Sequence, residues 1–114
     1  MRKRYGQPGW RALCNSTVTV YRRDGLTRQV LQGVYFDSGV SEAVSRGTVT
    51  AQAEFLLVVP GFFEIMPGDK IIRGEGPEIR SWQALCGADL PGLVTAKDVR
   101  VRHLAGKVSH VEVR

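Results

Sequence analysis

The sequence predicts an all-β protein: a small single-domain antiparallel β-barrel or sandwich with one long loop and at most a short helix. Three observations carry this. Residues 17–23, 29–36, 53–59, 62–66, 70–73, 94–102 and 108–113 are rich in β-branched or aromatic residues. Gly, Pro, Asp or Asn separates these segments, and those residues break or turn strands. With 114 residues and 43% hydrophobic content, the chain makes one domain with a core of its own.

Residues 1–15 read as a basic N-terminal arm and 16–114 as the β-barrel domain. Gly6, Pro8 and Gly9 interrupt regular structure in the arm, and Trp10 and Leu13 are the first side chains able to anchor it. Two readings of Trp10 stand: it packs on its own domain, or it docks on a neighbour, as large aromatics do at interfaces. In 17–23 the period of two puts Val18 and Val20 on one face and Thr17, Thr19 and Tyr21 on the other. Asp24-Gly25 is a two-residue hairpin signal, because both positions tolerate positive φ. The partner strand, about 27–36, sends Val30, Val34 and Phe36 to one side, and Gly33 in its middle predicts a bulge. Thr, Arg and Gln share one face of this hairpin, which implies that the face meets water or a partner.

Residues 37–50 form the longest polar stretch, with Ser38, Gly39, Ser41, Ser45 and Gly47, and they predict a loop. Glu42-Ala43-Val44 leaves room for a single helical turn, which is marginal in isolation. A loop of this length is either functional or inert, and both readings stay open. Asp37, Ser38, Ser41, Glu42 and Arg46 are its candidate partner contacts.

Residues 53–59 are almost continuously apolar, as in a strand covered on both sides. Pro60-Gly61 turns the chain into 62–66, and Pro67-Gly68-Asp69 is a type II turn into 70–73. A break at 74–77 precedes a further candidate strand at 79–85 and a loop at 87–92. Residues 93–102 and 108–113 make a terminal hairpin with Gly106 at the positive-φ position; Val111 and Val113 face inward, and His110, Glu112 and Arg114 face outward. Tyr21, Tyr35, Phe36, Phe55, Phe62 and Phe63 sit in apolar company and read as core.

The net charge of +5 is unevenly placed. Arg2, Lys3, Arg4, Arg11, Arg22 and Arg23 crowd residues 1–23 with no acid among them, and the rest of the chain sums to −1. This end is either a solvated tail or a contact for something polyanionic, DNA or an acidic protein surface. The longest apolar run, 55–60, is too short to span a membrane. Met1-Arg2-Lys3-Arg4 opens like a signal peptide, but no apolar stretch follows it, so secretion is not expected. Cys14 and Cys86 have no zinc-type spacing; they read as two reduced thiols of an intracellular protein, with a single disulfide as the alternative.

No motif for chemistry emerges. His103 and His110 are the only histidines, and no carboxylate at ligand spacing accompanies them. There is no nucleophile elbow, and Gly74-Glu75-Gly76-Pro77 lacks the strand–helix context of a phosphate loop. The expectation is a protein that is not an enzyme, with no catalytic residue, metal or cofactor.

Taken in order, Thr17-Val18-Thr19-Val20-Tyr21, the strand Arg28 to Phe36, Val58-Val59-Pro60, Met66-Pro67-Gly68-Asp69-Lys70-Ile71-Ile72 and the closing His110-Val111-Glu112-Val113 resemble small prophage-encoded minor capsid or neck proteins. The type is the head–tail connector stopper, and the likeness covers about residues 16–113. It departs from that pattern at Tyr35-Phe36, where acids commonly follow an aromatic, and in the basic N-terminus. The resemblance implies a mechanical role in the virion neck, assembled in the host bacterial cytoplasm. Copies would form a ring, sixfold or twelvefold, between portal or adaptor and tail-completion proteins, and would help close the DNA channel. The 37–50 loop would then narrow the channel, and Arg2, Lys3, Arg4, Trp10, Arg11, Arg22 and Arg23 would touch DNA or a partner. The rival reading is a small nucleic-acid-binding β-barrel, OB-like or SH3-like, that uses the basic N-terminus.

Overall fold

The computed structural model describes residues 13–45, 48–88 and 90–114, and the side chains among these outside 39–53. Among the described residues, seven strands form one antiparallel sheet: β1 (Ser16–Arg22), β2 (Thr27–Ser45), β3 (Thr48–Pro60), β4 (Lys70–Arg73), β5 (Val94–Thr95), β6 (Val99–Leu104) and β7 (Lys107–Val113). Their order is β5-β4-β1-β2-β3-β7-β6. The all-β class expected from the sequence is what the chain adopts, and the sheet curls into a half-barrel.

The curl turns on β2. Its first half pairs with β1 (Arg22 opposite Thr27 through Ser16 opposite Val34), and its second half pairs with β3 from Tyr35 opposite Val58 onward. The ladder to β1 shifts between Ser16 and Thr17, skipping Gly33, whose φ is 73°. This is the expected bulge, and an extra residue of this kind bends a strand and re-aims it. The two halves of the sheet close on one core: Val18, Val20 and Ile71 from one side, Val34 and Phe36 at the bend, and Leu57, Val59, Val111 and Val113 from the other. Ile65, Val94 and Ala96 complete it.

The outward face of β1, whose Thr and Arg content implied water or a partner, meets a segment of its own chain instead. Thr19 and Tyr21 are buried, because residues 74–77 cross over them. Thr19 Oγ1 donates to the Gly74 carbonyl at 2.7 Å and accepts from Gly76 N at 2.8 Å. Arg28 reaches the Gly76 carbonyl with Nε at 3.0 Å and Nη2 at 2.6 Å. Only glycine fits at position 76: a Cβ there would run into the Tyr21 hydroxyl and stand 2.8 Å from Ile72 Cγ2.

The corner of residues 66–69 forms as expected. Asp69 N donates to the Met66 carbonyl at 3.1 Å, and Gly68 has φ 99°, the type II geometry. The β6–β7 hairpin also forms, with Gly106 at φ 79°.

Other expectations give way. Residues 37–45 and 48–50 are strand, not loop. β2 and β3 run on as a two-stranded ribbon paired from Asp37–Leu56 out to Ser45–Thr48. Serine and glycine make this stretch look like a loop, yet its register pairs Val40 with Ala53 and Val44 with Val49. Asp24-Gly25 sits in a four-residue link that includes a 3-10 turn, Asp24–Leu26, with Leu26 also at positive φ. Residues 62–66 join no ladder, and Phe62 is exposed rather than core. The candidate strand at 79–85 is instead the helix α1, Trp82–Gly87. Ser81 Oγ caps it by accepting from Ala84 N at 3.0 Å, and Gln83, Ala84 and Leu85 are good helix formers. The single strand expected at 93–102 is split between β5 and β6. Cys14 and Cys86 are not joined.

Candidate functional site

Three surfaces concentrate what the fold leaves open: the projecting ribbon, the β6 edge and a groove on the outer face of the β3–β7 sheet. The ribbon begins where its neighbours stop. β1 leaves β2 at Val34, and β7 leaves β3 at Leu57. Beyond Phe36 and Leu57, no strand among the described residues flanks either ribbon strand. A lone two-stranded hairpin is marginal in water, so this ribbon is an element in need of a partner.

The candidate loop residues therefore lie on a strand. Asp37 and Ser38 are exposed at the ribbon base, opposite Leu56 and Phe55. Ser41 and Glu42 lie further out on β2, opposite Gln52 and Ala51. Arg46 is outside the described residues, as are Arg2, Lys3, Arg4, Trp10 and Arg11. The remaining two candidates separate. Arg23 is exposed, and its backbone N–H donates to Asp69 Oδ1 at 2.9 Å. Arg22 is half-buried, with Nη2 3.4 Å from Glu64 and Nε without a hydrogen-bond partner among the described residues. Its guanidinium is committed to the body of the domain.

Strand β6 is a sheet edge that sequence reasoning did not single out. Its far side has no strand partner among the described residues, and residues 100–104 are all exposed. Arg100 and Arg102 stand on one face, each held by a half-exposed ion pair: Arg100 Nε to Asp98 at 2.9 Å and Arg102 Nε to Glu112 at 3.3 Å. Apolar surface lies on the same hairpin, where Val101, Leu104 and Val108 are exposed. The Gly61 N–H donates to the Ser109 carbonyl at 2.9 Å and fixes that neighbourhood. In the sequence Val99-Arg100-Val101-Arg102 alternates and one of its faces carries only charge, but such alternation marks a strand and not its place at the edge.

The outer groove, about 420 Å³, is lined by Leu13, Tyr35, Leu56, Val58, His110 and Glu112. His110 Nε2 lies 2.9 Å from Glu112 Oε2. That hydrogen bond, reinforced by Arg102, holds the Glu112 carboxyl below the ordinary carboxylate range. A wider concavity of about 820 Å³ opens at the seam of the half-barrel, between Val94 and Thr95 on one side and Phe55 on the other. Among the described residues, no three His, Cys, Asp or Glu side chains are grouped to hold a metal ion. No helix among them is long and apolar enough to cross a membrane.

Comparison with known protein families, with curated proteins and with solved structures finds no match to this chain.

Proposed function

We propose that this chain is a structural subunit of a phage neck, of the head–tail connector or stopper type. In this reading copies assemble in a ring between portal or adaptor and tail and help close the DNA channel. The observation that carries it is the ribbon. A firm curled body holds a two-stranded projection that no strand of its own flanks among the described residues. Such an element gains stability only against another surface, which is the architecture of a subunit that fits to neighbours. The surplus of positive charge in residues 1–23 supports contact with DNA or an acidic adaptor surface. The neck reading is favoured over a base-stacking barrel because Tyr21 and Phe36 of the sheet lie in the interior, and the exposed Phe62 stands outside the strands rather than on a sheet face.

The test is genetic. Inactivating the coding sequence in the phage or prophage that carries it should give heads that package DNA, lose it and lack tails. Intact, infectious particles would contradict the proposal.

A further inference from the structure

We infer that the outer groove seats Trp10 of the chain's own N-terminal arm, so that the arm is latched to the domain it leaves. The groove is an apolar patch among charged neighbours. In β3, Leu57 and Val59 belong to the core, which turns Leu56 and Val58 outward; in β2, Val34 and Phe36 do the same for Tyr35. Tyr35, Val58 and Glu112 are paired in one row across β2, β3 and β7. Around this row stand Asp37, opposite Leu56, and Arg100, opposite Glu112.

The path of the chain brings the arm to this patch. Ser16, the first residue of β1, lies opposite Val34, the neighbour of Tyr35. Just before it, Asn15 N donates to the Leu13 carbonyl at 3.0 Å, a tight bend. Leu13 then stands on the groove wall and is still 58% exposed, an apolar surface that asks for cover. Only Arg11 and Ala12 separate it from Trp10, the largest apolar side chain of residues 1–12. Three residues of chain span at most about 11 Å, so the ring cannot stray far from the groove.

The chemistry of the groove suits an indole, which is an apolar plate with one N–H that seeks an acceptor when buried. Leu13, Tyr35, Leu56 and Val58 supply the apolar wall, and Glu112 supplies the acceptor. Its Oε1 accepts from Arg102 and its Oε2 is bonded to His110, and each oxygen keeps a second lone pair.

The tether decides whose arm binds. A short linker presents its own ligand at an effective concentration of about millimolar, so a second copy's arm competes only near that concentration. Apolar contact rather than charge makes the choice, since the nearby Arg100 and Arg102 already hold Asp98 and Glu112.

Fluorescence of the full chain carrying Trp82→Phe, which leaves Trp10 as its one tryptophan, tests the latch. Emission should lie at shorter wavelength than that of a free peptide of residues 1–12, and acrylamide should quench it about threefold less steeply. The difference in emission between the native chain and Trp10→Ala reads the same ring without touching Trp82. Protection should persist at high salt and on dilution by about a hundredfold, because the contact is apolar and tethered. Val58→Asp should raise quenching to the peptide's level with an unchanged thermal melt. If that variant unfolds, Val58→Thr, which keeps the branched shape and adds a hydroxyl, should raise it in the same direction. A ring as open to quencher as the peptide's, protection that the Val58 variants leave untouched, or protection lost at high salt would each overturn the latch. Protection lost on dilution would give the groove to the arm of a second copy, and would overturn it as well.

Discussion

The Tyr21 hydroxyl donates to the Pro77 carbonyl at 2.6 Å, and this one bond ties the outer face of β1 to the segment that crosses it. Thr19 and Arg28 hold the same segment through Gly74 and Gly76, so a face of ordinary polar residues becomes a buried layer. Burial also pushes the Tyr21 phenol above its ordinary value of 10.0.

Tyr21→Phe keeps the ring and removes the donor, leaving the Pro77 carbonyl without it. The expected loss is about 1–2 kcal/mol of unfolding free energy, read from denaturant melts at neutral pH. The raised phenol adds a pH signature. The unfolded chain releases this proton first, so wild-type stability should decline as pH rises from about 10 toward the higher folded value. That contribution should vanish in Tyr21→Phe; an unchanged alkaline slope would contradict it.

Asp69 is the second anchor. It is almost wholly buried, and its carboxylate accepts from Met66 N and from Arg23 N, each at 2.9 Å. It thereby joins the 66–69 corner to the link between β1 and β2. Asp69→Ala orphans both N–H groups and should cost about 2–3 kcal/mol in chemical denaturation. A loss under about 0.5 kcal/mol would show that the corner stands without it.

Glu112 makes an acid-side prediction. Its folded carboxyl titrates below the ordinary 4.5, chiefly because of the hydrogen bond with His110. That contribution is present above about 4.5 and is lost as pH falls through the lower folded value. Thermal melts between neutral and acid pH should therefore show a shallower acid decline for Glu112→Gln than for the wild type. Parallel curves would contradict the linkage.

Shortening the ribbon separates folding from assembly. Phe36, Leu57 and Val59 are core, and Phe55 packs against it, whereas residues 39–53 lie beyond the flanking strands. Replacing 39–53 with a tight turn should leave the melting temperature within a few degrees of wild type while abolishing association and DNA retention in heads. A body that unfolds without its ribbon would show that the projection is part of the core structure.

Strand-forming stretches and turn residues made much of this fold legible in the sequence. Val18, Val20, Val111 and Val113 lie inward as their alternation requires, and Gly33, Gly68 and Gly106 take the backbone conformations expected of them. What the sequence concealed is tertiary. Nothing local to Thr19 or Tyr21 says that residues 74–77 will cover them, because that contact spans more than fifty positions. The ribbon was hidden by its serines and glycines, since β-preference depends on the opposite strand more than on the residue itself. Phe62 failed as core because Gly61, at φ 77°, turns the chain out of the ladder just before it. The β6 edge was hidden because topology, not composition, decides which strand of a sheet ends up last.

The most direct measurement is quantitative mass spectrometry of purified particles from the phage or prophage that carries this sequence, with copy number normalised to the major capsid protein. The account predicts a small, fixed number of copies per particle, sixfold or twelvefold, located at the neck by labelled antibody. Particles that are complete without the protein, or that carry it in hundreds of copies over the whole shell, would contradict it.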